Sequence, residues 1–221
     1  MASAVEMTAW MGAGAMAQRS RRFEDAVELY GRAQRARPES PVIAAQLGLL
    51  HLERKNHEDA TRLLGDAVSK KDDVAAWWQA LGRAHEGAGG LEKAMKAYAL
   101  DPTNVDNQVG RGRSLLAAGK VEAALALLRV AAEDAPRTKS IHTTLGEALL
   151  ASDDADAALE AFKRAQELDP GDKMAFAGAA NAYAAKGDAA KEREQWSKYV
   201  VRDCCSDYSK NVAQERLSAR P

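Results

Sequence analysis

Four histidines and two cysteines are the side chains of this chain with the most ready chemistry, and their spacing decides what that chemistry can be. His51 and His57 stand six residues apart, and the others are scattered. A structural zinc ion takes four nitrogen, sulfur or oxygen ligands. Cys204-Cys205 has neither a nearby histidine nor a second cysteine pair, so no metal is expected. The histidines read as core or turn residues. Adjacent cysteines rarely bridge each other, and two thiols do not staple a chain of 221 residues. A reducing compartment, the cytoplasm, is the expectation. Glu86-Gly87-Ala88-Gly89-Gly90 lacks the strand context and the Gly-Lys-Ser/Thr ending of a phosphate loop. Asp153-Asp154 reads as a helix start, where carboxylates meet free N–H groups, and not as an acid–base pair. No catalytic constellation emerges, and no enzyme and no cofactor are expected.

Charge narrows the partners. Lys and Arg number 31 against 32 Asp and Glu, so no basic excess is available to neutralise a phosphate backbone. No run of about twenty apolar residues crosses a membrane. Ala4 to Ala17 is small and apolar, but a secretory signal carries positive charge ahead of such a stretch, and the early charge here is Glu6. The segment reads better as folded structure.

What positions these side chains is a repeat. Ala26, Ala60, Ala94, Ala124 and Ala158 are each followed four residues later by Tyr30, Leu64, Tyr98, Leu128 and Phe162, and Glu192 with Trp196 makes a sixth pair. Three of the steps between alanines are 34 residues and one, Ala94 to Ala124, is 30. A period of this size is the mark of a solenoid. Within Lys139 to Gly171, Ser140 to Leu150 has apolar residues at helical spacing, Asp153 to Asp156 makes a turn, and Ala157 to Leu168 is a second helix stopped by Asp169-Pro170-Gly171.

This unit resembles the tetratricopeptide repeat family, through Leu145-Gly146, Leu149, Ala158, Phe162, Ala165 and Pro170. The register places unit starts near Met7, Pro41, Ala75, Val105, Lys139 and Lys173, with Gly14, Gly48, Gly82, Gly112, Gly146 and Ala180 at position eight. Small residues at eight, twenty and twenty-seven let two helices approach; large ones at four, eleven and twenty-four fill between them. The implied fold is all-α: a right-handed superhelical solenoid of six helix–turn–helix units over residues 7–203, with a flexible stretch at 1–6 and a capping helix and tail at 204–221. His85 falls at position eleven. Gln108 and Arg111 are polar at core positions, making the first helix of unit four the least regular. Trp196 and Tyr199 suggest a bulkier closing surface, and Ser206 to Ala219 a polar cap with Tyr208, Val212 and Leu217 on its apolar edge. Unit three is four residues short after Tyr98, and Gly87, Gly89 and Gly90 loosen its turn. A division of the array there, into two blocks of three units, is one reading; neutral shortening is the other.

In the resembled family the first helices line a concave groove for an extended peptide or a helix. Carried over, that groove holds Val42, Ala45, Leu49 and Leu52, then Gln79, Arg83 and Glu86, then Val109, Arg113 and Leu116, then Thr143, Glu147 and Leu150. Arg83 and Arg113 share position nine in neighbouring units, so one acidic ligand group could bridge them; Glu86 and Glu147 compete as internal partners. The lysine–asparagine clamp with which a subgroup grips chaperone tails is absent: the relevant pairs are Met11 and Ala15, Ala45 and Leu49, Gln79 and Arg83, Val109 and Arg113, Thr143 and Glu147. The resemblance implies a non-catalytic adaptor or scaffold with a protein partner. The alternatives are a subunit docking by its edges or convex face, and a factor like the pilus-assembly pilotins. Those are lipoproteins acylated on an early cysteine, whereas the first cysteine here is Cys204.

Overall fold

The computed structural model describes residues 3–202, 211 and 213–218. Over these residues the chain is helical, with no strand. The helices are α1 (Ala4–Arg19), α2 (Phe23–Ala36), α3 (Pro41–Glu53), α4 (His57–Lys70), α5 (Ala75–Gly87), α6 (Leu91–Ala99), α7 (Val105–Ala117), α8 (Val121–Asp134), α9 (Lys139–Ala151), α10 (Ala155–Leu168), α11 (Lys173–Ala185), α12 (Ala189–Arg202) and α13 (Gln214–Ser218). Helices α3, α5, α7, α9 and α11 begin on the residues that open units two to six of the sequence register. The chain divides into two compact bodies between Ser114 and Leu115, inside α7. In the first body α1 packs on α2, α3 on α4 and α5 on α6; in the second α9 packs on α10 and α11 on α12.

One turn recurs six times. Arg21, Lys55, Gly89, Gly119, Asp153 and Gly187 all have positive φ. Each N–H reaches the carbonyl three residues back, as Lys55 does to Leu52 at 3.0 Å, and the next N–H reaches five back, as Asn56 does to His51 at 2.9 Å. This double bond satisfies the last carbonyls of each first helix. Three of the six residues are glycine, which enters this region without a Cβ clash; Arg21, Lys55 and Asp153 enter it at a cost of about 1–2 kcal/mol each.

The second helices are pressed onto the first by glycine. A Cβ on Gly14, Gly48 or Gly146 would stand 2.7 Å from Tyr30, Leu64 or Phe162, and one on Gly82 would be closer still to Tyr98. Tyr98 and Phe162 are held from two sides, because Gly110 and Gly178 of the following first helix meet the same rings. Ala26, Ala60, Ala94, Ala124 and Ala158 are fully buried.

Departures from the register have local causes. Helix α1 starts at Ala4, so Ala4 to Glu6 are helical and not part of a flexible end: Ser3 and Glu6 form a reciprocal capping box. Helix α6 has 9 residues where α2, α4, α8, α10 and α12 each have 14. The lost turn uncovers Leu100, which is 58% exposed. Asn107 replaces it as a fastener. Its counterparts Ile43, Trp77 and Ile141 are buried and apolar; Asn107 is buried too, but donates to the Asp101 carbonyl at 3.1 Å. Trp196 and Tyr199 are buried, edge to face at 5.7 Å, and do not form an outer surface. Ala213 and Leu217 pack on them. Glu192 stands where alanine is usual because it accepts from the Trp196 indole at 3.3 Å and pairs with Arg216 at 3.6 Å. Tyr208, Val212 and the Cys204-Cys205 pair lie outside the described residues.

The glycine contact predicts opposite signs for one substitution. Gly146→Ala is expected to destabilise by about 1–3 kcal/mol through overpacking on Phe162. Gly65→Ala, where nothing lies within 4 Å of the new Cβ, is expected to stabilise by about 0.5–1 kcal/mol through helix propensity. Urea denaturation of the two variants measures both.

Candidate functional site

The first body carries a cleft of about 640 Å³ where three first helices end. Leu52 and Glu53 come from the last turn of α3, Lys55 from the turn that follows, and His57 from the start of α4. Arg83, Glu86 and Gly87 come from α5, and Arg113 from α7. The helix ends converge because each first helix closes in the same left-handed turn, at Lys55 and again at Gly89. Gly87 serves close approach: a Cβ there would strike the His57 ring.

The carboxylates of this cleft are engaged. Glu86 accepts the Tyr98 hydroxyl at 3.0 Å and faces Arg113 Nε at 3.6 Å. Burial pushes the Tyr98 phenol upward, and the Glu86 charge and hydrogen bond push it further, against Arg113 and Arg83. Tyr98 is therefore a fixed donor. Glu53 accepts the Gln18 amide at 2.9 Å, and Gln18 in turn accepts the Tyr30 hydroxyl at 3.5 Å. The cations differ. Among the described residues, the side chains of Arg83 and Lys55 make no hydrogen bond or ion pair, and both residues are exposed.

The other groove residues divide by burial. Val42 is 48% exposed, while Leu49 and Leu52 are half-buried against the core cluster around Leu64 and Trp77. Ala45, Val109 and Thr143 are buried and offer no surface. The Thr143 hydroxyl is placed to donate internally, 3.1 Å from the Lys139 carbonyl and 3.2 Å from Asp172 Oδ2. Gln79 is half-buried. Leu116, Thr143 and Leu150 belong to the second body, and the two leucines are half-buried there. So Leu52, Arg83 and Arg113 are brought to one cleft, with Val42 and Leu49 on the same helix as Leu52. Sequence reasoning missed Glu53, Lys55, His57 and Gly87, because the carried-over positions stop short of the helix ends and the turn. The repeated turn position itself was the available signal. Among the described residues no group of three His, Cys, Asp or Glu is placed to hold a metal ion, and no helix is long and apolar enough to cross a membrane.

Models of the tetratricopeptide repeat match residues 17–84, 109–173 and 143–206. The chain belongs to the tetratricopeptide repeat family. Its fold is similar to that of PilW, a type IV pilus biogenesis factor, at TM-score 0.78 and 15% identity over 96% of this chain and 99% of that one. A tetratricopeptide repeat protein from Parabacteroides merdae superposes at TM-score 0.80 and 12% identity, over 98% and 84% of the two chains. YrrB, described as a tetratricopeptide repeat protein with an unusual peptide-binding site, superposes at 0.56 and 20% identity, over 86% and 100%. Identities this low speak to fold alone. No curated protein matches the chain by sequence.

The two tyrosine contacts are unequal, which is testable. Tyr98→Phe removes a bond to a charged, part-buried acceptor and is expected to cost about 1–2 kcal/mol. Tyr30→Phe, losing a long bond to a neutral amide, is expected to cost less. Equal losses in chemical denaturation would contradict this ranking.

Proposed function

We propose that the chain is a non-catalytic adaptor that holds a peptide segment or a helix of a partner protein along its first helices. The observation that carries this reading is the cleft in which half-buried Leu52 adjoins the unpaired cations Arg83 and Lys55. Apolar side chains left half-covered beside unsatisfied charge suit a partner with both apolar and polar contacts. Val42 and Leu49 extend the apolar part along α3. Gln79 and Arg113 flank it on α5 and α7. Leu116 and Leu150 offer a comparable half-buried pair in the second body. The buried Ala45, Val109 and Thr143 support these helices from behind. The reading needs no cofactor and involves neither nucleic acid nor a chaperone-tail clamp. We assign it to the cytoplasm, on the reading of Cys204-Cys205 as thiols kept reduced. The likeness to PilW is one of fold and brings no pilus partner to this chain.

Docking through the outer faces of the second helices is the competing arrangement, favoured by Val130 on α8, which is 56% exposed. Affinity capture separates the two. With folding checked by thermal melts, Leu49→Asp and Leu52→Asp are expected to abolish capture of the partner that wild type retains, and Val130→Asp to leave it intact. The reverse pattern would overturn the adaptor reading in favour of outer-face docking.

A further inference from the structure

Resting on that reading, we infer that the cleft recognises a carboxylate side chain of the partner, an Asp or Glu next to an apolar residue, with Arg83 as the principal reader. Lys55, Arg83 and Arg113 line the cleft with two carboxylates, Glu53 and Glu86, so its charge balance is positive, and Arg83 and Lys55 make no hydrogen bond or ion pair among the described residues. A guanidinium offers a planar fork that matches a carboxylate. Leu52 lines the same cleft and supplies contact for the neighbouring apolar residue.

Arg113 is the second contributor, and its release is prepared. Its guanidinium stands 3.6 Å from Glu86, beyond ordinary hydrogen-bond length, and its side chain is 48% exposed. Glu86 also accepts the Tyr98 hydroxyl at 3.0 Å. An incoming carboxylate can therefore share Arg113 while Glu86 retains one hydrogen-bond donor. The same two glutamates, Glu53 and Glu86, argue for a singly charged ligand. A phosphate carries close to two negative charges, and in this cleft would share the lining with both carboxylates.

The probe is a library of random twelve-residue peptides displayed on phage and selected on the intact chain. Enrichment of Asp or Glu beside Leu, Ile, Val or Met is expected. Fluorescence polarisation of a selected peptide should show about tenfold weaker binding to Arg83→Gln, still weaker binding to Arg83→Glu, and recovery on Arg83→Glu when the peptide's acidic residue becomes Lys. Selected peptides without acidic enrichment, binding unchanged by Arg83→Glu, or a selection that returns no binder would each overturn the inference. The two readings fail separately. If Leu52→Asp abolishes binding and Arg83→Glu does not, the groove stands and the carboxylate falls. If neither substitution matters, both fall.

Discussion

The structure depends on one close approach, seen in four helix pairs: a large side chain of the second helix lying directly on the backbone of the first. Glycine at the contact lets Tyr30, Leu64, Tyr98 and Phe162 come nearer than any Cβ would allow. Packing at that density leaves little room for adjustment, so in these four pairs one glycine sets the distance between the helices. The buried alanines on the second helices complete the seam. The cleft inherits its shape from this contact, because the ends of α3, α5 and α7 are placed by the pairs to which they belong.

A chemical pairing follows from the same geometry. The large residue at position twenty-four reaches toward position twelve of its own unit. Where it is tyrosine, position twelve is polar: Gln18 with Tyr30, Glu86 with Tyr98, each joined by a hydrogen bond. Where it is Leu64, Leu128 or Phe162, position twelve is Leu52, Leu116 or Leu150. A buried hydroxyl needs an acceptor, and a buried hydrocarbon needs cover. This rule places Glu86 in the cleft for a structural reason. It also leaves Leu52 apolar beside it. The mixed character of the cleft is thus a product of how two neighbouring units solve their cores.

Much of the architecture was legible in the residues. The spacing of Ala60, Ala94 and Ala124 located the helix pairs and the short unit, since small residues at a fixed interval have one packing meaning. Less was legible where the cause is a single side chain acting out of pattern. Asn107 reads as a misplaced polar residue until its bond to Asp101 shows it fastening the end of the shortened α6. Glu192 reads as a lost alanine until Trp196 and Arg216 are seen to hold it. Of the groove residues, Leu52, Arg83 and Arg113 share a cleft, whereas Ala45, Val109 and Thr143 are buried, because pattern positions give a helix face and not the depth of each residue on it. Lys55 escaped notice since nothing about a lysine announces a left-handed turn.

The central claim is that Arg83 is the unpaired guanidinium of the cleft while Arg113 is held near Glu86. NMR of arginine side-chain Nε–H groups in the unliganded protein reads this directly. The account predicts an Arg113 signal more ordered than that of Arg83, with Arg113 becoming as mobile as Arg83 in Glu86→Gln. An ordered Arg83, or an Arg113 as mobile as Arg83 in the unsubstituted chain, would contradict it.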